Sequence, residues 1–435
     1  MNAQHTADSL SAPHQSGFNT GELAIGVIVG RTAEYFNFFV YAIASVLVFP
    51  KIVFPDHDPL TATMYSFGIF ALAFVARPFG TLVFMAVDRI HGRTVKLVIA
   101  MLLLGTSTVA IAFLPGYKEI GVYAAVLLAI ARCGQGIAWG GAWDGLPSLL
   151  NMNVPDNRRG WYAMIPQLGA MLGLALASGL FAYFVSRLSA ADFLHWGWRY
   201  PFFVAFAINL VALFARVTIV STPECKDLFK RRELQPEHVR KTIKAEGGNI
   251  LIGSFAPLAS FALFHMVTVF PLSWIFLFTG ESPTRFLLIE MVGAGVGALC
   301  VIGSGLVADW VGRRMLLGVS AAAIAIFSGF APQFLNLGGT GEMIYMILGF
   351  ILLGLSFGQS SGVVAANFPK NYRYTASALT SDLAWLFGAG FAPLIALWLA
   401  SKFGLLMTAM YLLSAALASG VALLANKTLA TRRYQ

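Results

Sequence analysis

The sequence predicts an all-α membrane protein of 12 transmembrane helices in two pseudo-symmetric six-helix halves. Three observations predict it. The chain is 58% hydrophobic and only 11% charged, where an ordinary soluble domain carries roughly 25% charged residues. Uninterrupted apolar stretches recur along nearly its whole length, each able to cross a hydrocarbon core of about 30 Å as a helix. A short basic loop also occurs twice, as Asp88-Arg89-Ile90-His91-Gly92-Arg93 and as Asp309-Trp310-Val311-Gly312-Arg313-Arg314. Gly92 and Gly312 lie 220 residues apart, about half of the 435-residue chain. A duplicated loop between spans indicates an internal repeat, and internal repeats in membrane proteins point to transport.

The expected spans are 23–49, 62–86, 95–114, 119–148, 161–186, 198–220, 250–279, 285–308, 315–335, 342–367, 374–401 and 404–426. These runs are too long for strands and lack period-two alternation. Residues 1–22 read as a disordered polar tail, with His5, Asp8, His14 and Asn19 and without the flanked apolar core of a cleavable signal. The N-terminal half then covers 23–220, a central loop 221–249, the C-terminal half 250–426 and a second tail 427–435.

Basic residues set the expected orientation. The loops after the even-numbered spans, with the C-terminal tail, hold 20 of the 29 Lys and Arg, Arg216 being counted with the loop after span 6. The positive-inside rule then puts both termini and these loops in the cytoplasm, and a bacterial inner membrane is the expected location. The net charge of +9 is therefore topology, and a nucleic-acid partner is not expected. The basic run Lys226 to Lys244 reads either as a surface helix drawn to anionic lipid or as a solvated linker between the halves.

The remaining composition excludes other classes. Cys133, Cys225 and Cys300 are scattered, giving neither a disulfide framework nor metal-ligand spacing. No G-x-x-x-x-G-K-[ST] loop is present, so an ion gradient is the expected energy source. With no nucleophile–base motif and no cofactor fingerprint, neither an enzyme nor a bound cofactor or metal is expected. The chain is expected to act as a monomer on a small molecule and protons.

Finer signatures resemble a known family. They are Glu34-Tyr35-Phe36-Asn37-Phe38-Phe39, Arg77-Pro78-Phe79-Gly80, Arg132-Cys133-Gly134-Gln135-Gly136, Gly140-Gly141-Ala142-Trp143, Arg158-Arg159-Gly160, Trp196 to Phe202, Phe368-Pro369 and Arg373-Tyr374-Thr375. With the two loops, their order over about residues 20–430 resembles the major facilitator superfamily and its metabolite:proton symporter family. That resemblance implies alternating-access symport of an organic acid or a zwitterion such as betaine. The alternatives are proton-coupled efflux of an amphiphilic compound, an uncoupled facilitator, or a ligand sensor without net transport. The chain also departs from the family pattern. Asn37 stands where Asp is usual and Ala142 where Glu is usual, and no carboxylate stands near Met152 or Ala366. Asp88 lies one residue further from its glycine than usual, and Met85 stands where glycine is common. A rewired N-terminal gate is expected.

Charges inside spans are costly and need a reason. Arg31, Glu34, Asn37 or Phe38, and Tyr41 recur at three- and four-residue steps, forming one polar stripe on span 1. Arg132, Gln135, Trp139 and Trp143 form another on span 4. The resemblance places both stripes on the central cavity. Glu34 is the expected proton-exchanging acid, with Arg132 as its charge partner or as a ligand for a substrate carboxylate; a permanent pair of Glu34 with Arg31 or Arg132 is the structural alternative. Asp382 and Glu290 are further proton-coupling candidates. His265, Gln359 and Trp385 are candidates for the C-terminal wall. Asp88, Arg89, Arg93, Asp144, Asp309, Gly312, Arg313 and Arg314 are expected to work as gates, with Asp309 accepting hydrogen bonds at a neighbouring helix end.

Overall fold

The computed structural model describes residues 20–142, 150, 155–223, 226–227, 230, 234–361 and 368–426. Among these, 12 helices are long and apolar enough to span a membrane. They are α1 Gly21–Leu47, α2 Pro59–His91, α3 Arg93–Ala112, α4 Tyr123–Gly141, α5 Arg159–Arg187, α6 Ala190–Ser221, α7 Leu258–Thr279, α8 Pro283–Val311, α9 Arg313–Asn336, α10 Gly338–Phe357, α11 Arg373–Phe403 and α12 Leu405–Ala425. No strand occurs among the described residues.

Local chemistry sets the boundaries. Asp58 caps α2 by accepting a 3.0 Å hydrogen bond from the Thr61 amide, and Pro59 supplies a first residue needing no amide partner. That amide holds the Asp58 carboxyl below its usual range. Gly92 and Gly312 end α2 and α8 at φ +86° and +87°, a region other residues rarely enter, so the duplicated loops make two equivalent sharp turns. We call the end of the bundle bearing these turns the basic end. The helix Val239–Phe255 precedes α7, with Arg240, Lys241 and Lys244 exposed and Ile250 packed on Phe368, Ala376 and Leu379.

Two kinds of helix irregularity shape the interior. Pro78 and Pro166 interrupt the backbone ladders of α2 and α5. Wider turns, each adding a residue per turn, occur at Ile275–Thr279 in α7 and Leu386–Gly390 in α11. The second lies just beyond Trp385 and contains Gly388 and Gly390.

Small residues bring α2 and α4 close enough for backbones to touch. A Cβ on Gly80 would lie 2.1 Å from the Ile137 carbonyl oxygen, and one on Gly136 would lie 2.2 Å from that of Ala73. Close approach of this kind replaces the hydrophobic drive that lipid removes. Gly136→Val should therefore force the pair apart and lower stability by about 1–3 kcal/mol. Thermal unfolding of the purified variant in detergent checks this, and an unchanged melting temperature would contradict it.

Candidate functional site

A cavity opens between the two halves, lined by Arg31, Glu34, Tyr35, Phe38, Phe74, Arg77, Trp139, Ala142 and Trp385. α1, α2 and α4 supply all but Ala142, the residue after α4, and Trp385, which comes from α11. On the side away from the basic end the cavity meets a layer of rings. Phe38 sits 5.7 Å from Trp139 and 5.6 Å from His265, Phe39 lies 5.5 Å from Phe264, and Phe264 lies 5.4 Å from Trp385. These contacts join the halves through the middle of the bundle.

The α1 stripe builds the charged wall. Arg31 Nη1 donates to Glu34 Oε2 at 2.7 Å, one turn along the helix. Arg216 Nη1, from α6, donates to the other oxygen at 2.5 Å. Glu34 is thus held between two arginines, Arg31 partly facing the cavity and Arg216 buried behind it. Arg216 belongs to the span rather than to the following loop, correcting the sequence reading. Gly30 makes room for it, since a Cβ there would fall 2.3 Å from Arg216 Nε. The clue in the sequence was a lone arginine followed by Val217, Ile219 and Val220.

The expected Glu34–Arg132 pair does not form. Arg132 is fully buried under three rings, 3.9 Å from the Tyr41 centroid, 4.8 Å from Phe70 and 5.0 Å from Trp139. Its Nε donates to the Phe70 carbonyl at 3.2 Å and its Nη1 to Gln135 Oε1 at 2.9 Å. Gln135 in turn donates to Asn37 Oδ1 and Thr108 Oγ1, and Asn37 donates to Thr108 Oγ1 at 2.7 Å. This closed network turns the guanidinium toward Tyr41 and away from Glu34. It gives Asn37 a neutral role suited to an amide rather than an acid. Trp143 and Asp144 lie outside the described residues.

The other expected site residues separate. Asp382 faces α2, taking Arg77 Nε at 2.8 Å and the Thr81 hydroxyl at 2.5 Å, so it bridges the halves beside the cavity. Trp385, one turn on, lines the cavity itself. Glu290 is remote from it, buried between α5 and α8, where it accepts from the Ser178 hydroxyl at 2.8 Å. Arg285 pairs with Glu281 at 3.0 Å rather than with Glu290. His265 is fully buried in the ring layer. Gln359 reaches the Gly160 carbonyl at 3.0 Å and contributes to the contact between halves rather than to the cavity wall.

Toward the basic end the halves are fastened at two pseudo-equivalent places. Asp309 on α8 accepts from the Gly160 and Trp161 amides at 2.6 and 3.0 Å, capping α5 at its unsatisfied N-terminal donors as expected. Arg313 donates to the Arg159 carbonyl, and Arg314 follows it, partly exposed. In the first copy Asp88 takes Lys96 Nζ at 2.8 Å, the Tyr374 hydroxyl of α11 at 3.2 Å and Arg93 Nε at 3.6 Å. Here a tyrosine and a lysine do what two backbone amides do in the second. Arg93 also donates to the Leu234 carbonyl at 2.5 Å, and Arg89 to that of Glu237 at 3.3 Å, so the linker is drawn onto this turn.

Two guanidiniums (Arg31 and Arg77) line the cavity against one carboxylate (Glu34), a formal excess of one positive charge in the lining, with Arg216 behind Glu34 and Asp382 beside Arg77. A polar cavity at the junction of two repeated six-helix halves, fastened at one end, defines a membrane transporter rather than an enzyme. The family profile of the Major Facilitator Superfamily matches residues 23–393, and the chain belongs to that superfamily. It is similar to the inner membrane metabolite transport protein YhjE of Escherichia coli K12, with 36% identity over 93% of each chain. It is also similar to the shikimate transporter of the same organism, with 28% identity over 93% of this chain and 94% of that one. A crystal structure of a D-xylose–proton symporter shares the fold, with a TM-score of 0.71 at 19% identity over 92% of this chain and 97% of that one. The protein is thus an integral inner membrane transporter.

Proposed function

We propose that this chain imports a small organic anion or zwitterion together with protons by alternating access, working as a monomer with the basic end and both termini in the cytoplasm. The observation that carries the reading is the cavity's excess positive charge set within aromatic walls. Such a lining suits a carboxylate on an apolar or ring-shaped body. The shikimate transporter, a relative named for a ring-bearing carboxylate, supports the same class.

Glu34 is the proposed proton carrier. Arg31 is the partner that faces the cavity, while Arg216 is buried behind. A substrate carboxylate drawn to Arg31 competes with Glu34 for it, leaving Glu34 free to take a proton. Loss of that proton restores the pair and releases the substrate, so the two loads move together.

The test is flux into proteoliposomes of shikimate, benzoate, proline and glycine betaine, with and without an inside-alkaline pH gradient. Wild-type protein should accumulate at least one of them above equilibrium when the gradient is imposed. Glu34→Gln should fall to the equilibrium level while keeping exchange of labelled for unlabelled substrate. Gradient-driven accumulation that survives in Glu34→Gln would remove the proton role. No gradient response for any compound that crosses would remove coupling altogether.

A further inference from the structure

We propose a second anion station, shut off from the cavity by Phe38 and built from Arg132, Tyr41 and His265, which holds the carboxylate of the transported compound at a separate stage of passage; it rests on the transport reading above. Several independent observations converge on this place. Arg132, Tyr41 and His265 are all fully buried. Yet Arg132 Nη2, the Tyr41 hydroxyl and both ring nitrogens of His265 have no hydrogen-bond partner among the described residues. Buried polar groups are ordinarily paired, and each exception needs a cause. These three side chains stand around one ring, Phe70, whose centroid is 4.8 Å from the Arg132 guanidinium, 6.1 Å from Tyr41 and 5.5 Å from His265.

The rest of Arg132 is fixed. Phe70 and Gln135 take two of its nitrogens, and Gln135 is itself anchored by Asn37 and Thr108. Only the Nη2 edge is left to receive a ligand. An arginine kept purely for structure would be expected to meet a carboxylate; this one meets three aromatic faces instead. Such faces hold a guanidinium without neutralising it, so its full charge remains available to an anion. The imidazole nitrogens and the phenol can serve hydroxyl or further oxygen groups on the same compound.

Chain direction gives the station its place on the route. On α1, α2 and α4, residues Tyr41, Phe70 and Arg132 all lie further from the basic end than the cavity residues Glu34, Arg77 and Trp139. Phe38 and Trp139 belong to both places. Each lines the cavity, while Phe38 also packs on Phe70 and His265 and Trp139 covers Arg132. Turning the Phe38 ring aside joins the station to the cavity. An anion would then pass between the Arg132 station and Arg31, each step moving it between positive sites of similar kind.

Phenylglyoxal, which condenses with accessible guanidiniums, tests this without depending on the natural substrate. Wild-type protein, Phe38→Ala and the milder Phe38→Leu are reconstituted in lipid nanodiscs, treated with and without excess benzoate, and mapped by mass spectrometry. Arg132 should react several-fold faster in Phe38→Ala than in wild type, with Phe38→Leu between them, and benzoate should slow that reaction. Arg132 that stays unmodified in both variants, or that reacts equally with and without benzoate, overturns the station. Thermal unfolding and modification of Arg31 confirm that each variant is folded with its cavity intact. Failure of the transport reading shows separately, as absence of exchange of all four compounds by wild-type protein.

Discussion

Arg216→Ala should lower stability by about 3–5 kcal/mol, the usual consequence of removing one partner from a buried ion pair, and should abolish accumulation of substrate. The pair is close, at 2.5 Å, and both side chains are shielded, with 3% of Arg216 and 9% of Glu34 exposed. Deleting the guanidinium leaves Glu34 Oε1 without its short partner, while Arg31 stays on the other oxygen. The cost arises from the stranded charge rather than from lost contact area. The double variant Glu34→Gln with Arg216→Gln should therefore recover most of the stability, because two neutral amides can bond one another. It should not recover proton-driven uptake. Thermal unfolding and flux, measured side by side, separate the two effects. A double variant as unstable as Arg216→Ala would show that packing, not charge, holds α6 on α1. Gly30→Val should reproduce part of the single-variant defect, since its side chain would occupy the place of Arg216 Nε.

That cluster also marks where sequence reasoning stopped. The twelve helices and the repeat were legible because a bilayer demands long apolar runs and because two positive-φ glycines end α2 and α8 in the same way. The Arg31–Glu34 contact was legible too, being one turn of one helix. Arg216 was not, since it reaches Glu34 across 182 positions of sequence and through a gap that only Gly30 leaves open. Two polar stripes facing one cavity suggested that Glu34 and Arg132 would meet. Direction decided otherwise, because the Gln135–Asn37–Thr108 network and the Tyr41 face draw Arg132 the other way. The irregular Asp88 spacing was visible in the sequence, yet its partners, Lys96 and Tyr374, could be named only once α3 and α11 were placed beside it.

Asp382→Asn should shift the protein toward opening at the basic end by about 2 kcal/mol, within the range for a charge-assisted hydrogen bond, or roughly thirtyfold in the conformational equilibrium. Asp382 is on α11 and its partners Arg77 and Thr81 are on α2, so the contact exists only while the halves are together at that level. An interaction made in one conformation and not the other sets their relative population, whatever its total strength. The asparagine keeps the shape but gives up the charge that Arg77 requires. In the closed form Arg77 is then buried beside a neutral amide, whereas in the open form water can reach it. The Asp88–Tyr374 and Asp309–α5 contacts remain, so the shift should be partial rather than complete. Ala142→Cys, introduced where Cys133, Cys225 and Cys300 have been replaced, places a reporter on the cavity wall. Its reaction with a membrane-impermeant maleimide applied to the basic side should speed up in Asp382→Asn, and reaction from the opposite side should slow. If both rates stay at their parental values, Asp382 does not fasten the halves, and its pairing with Arg77 serves the cavity alone.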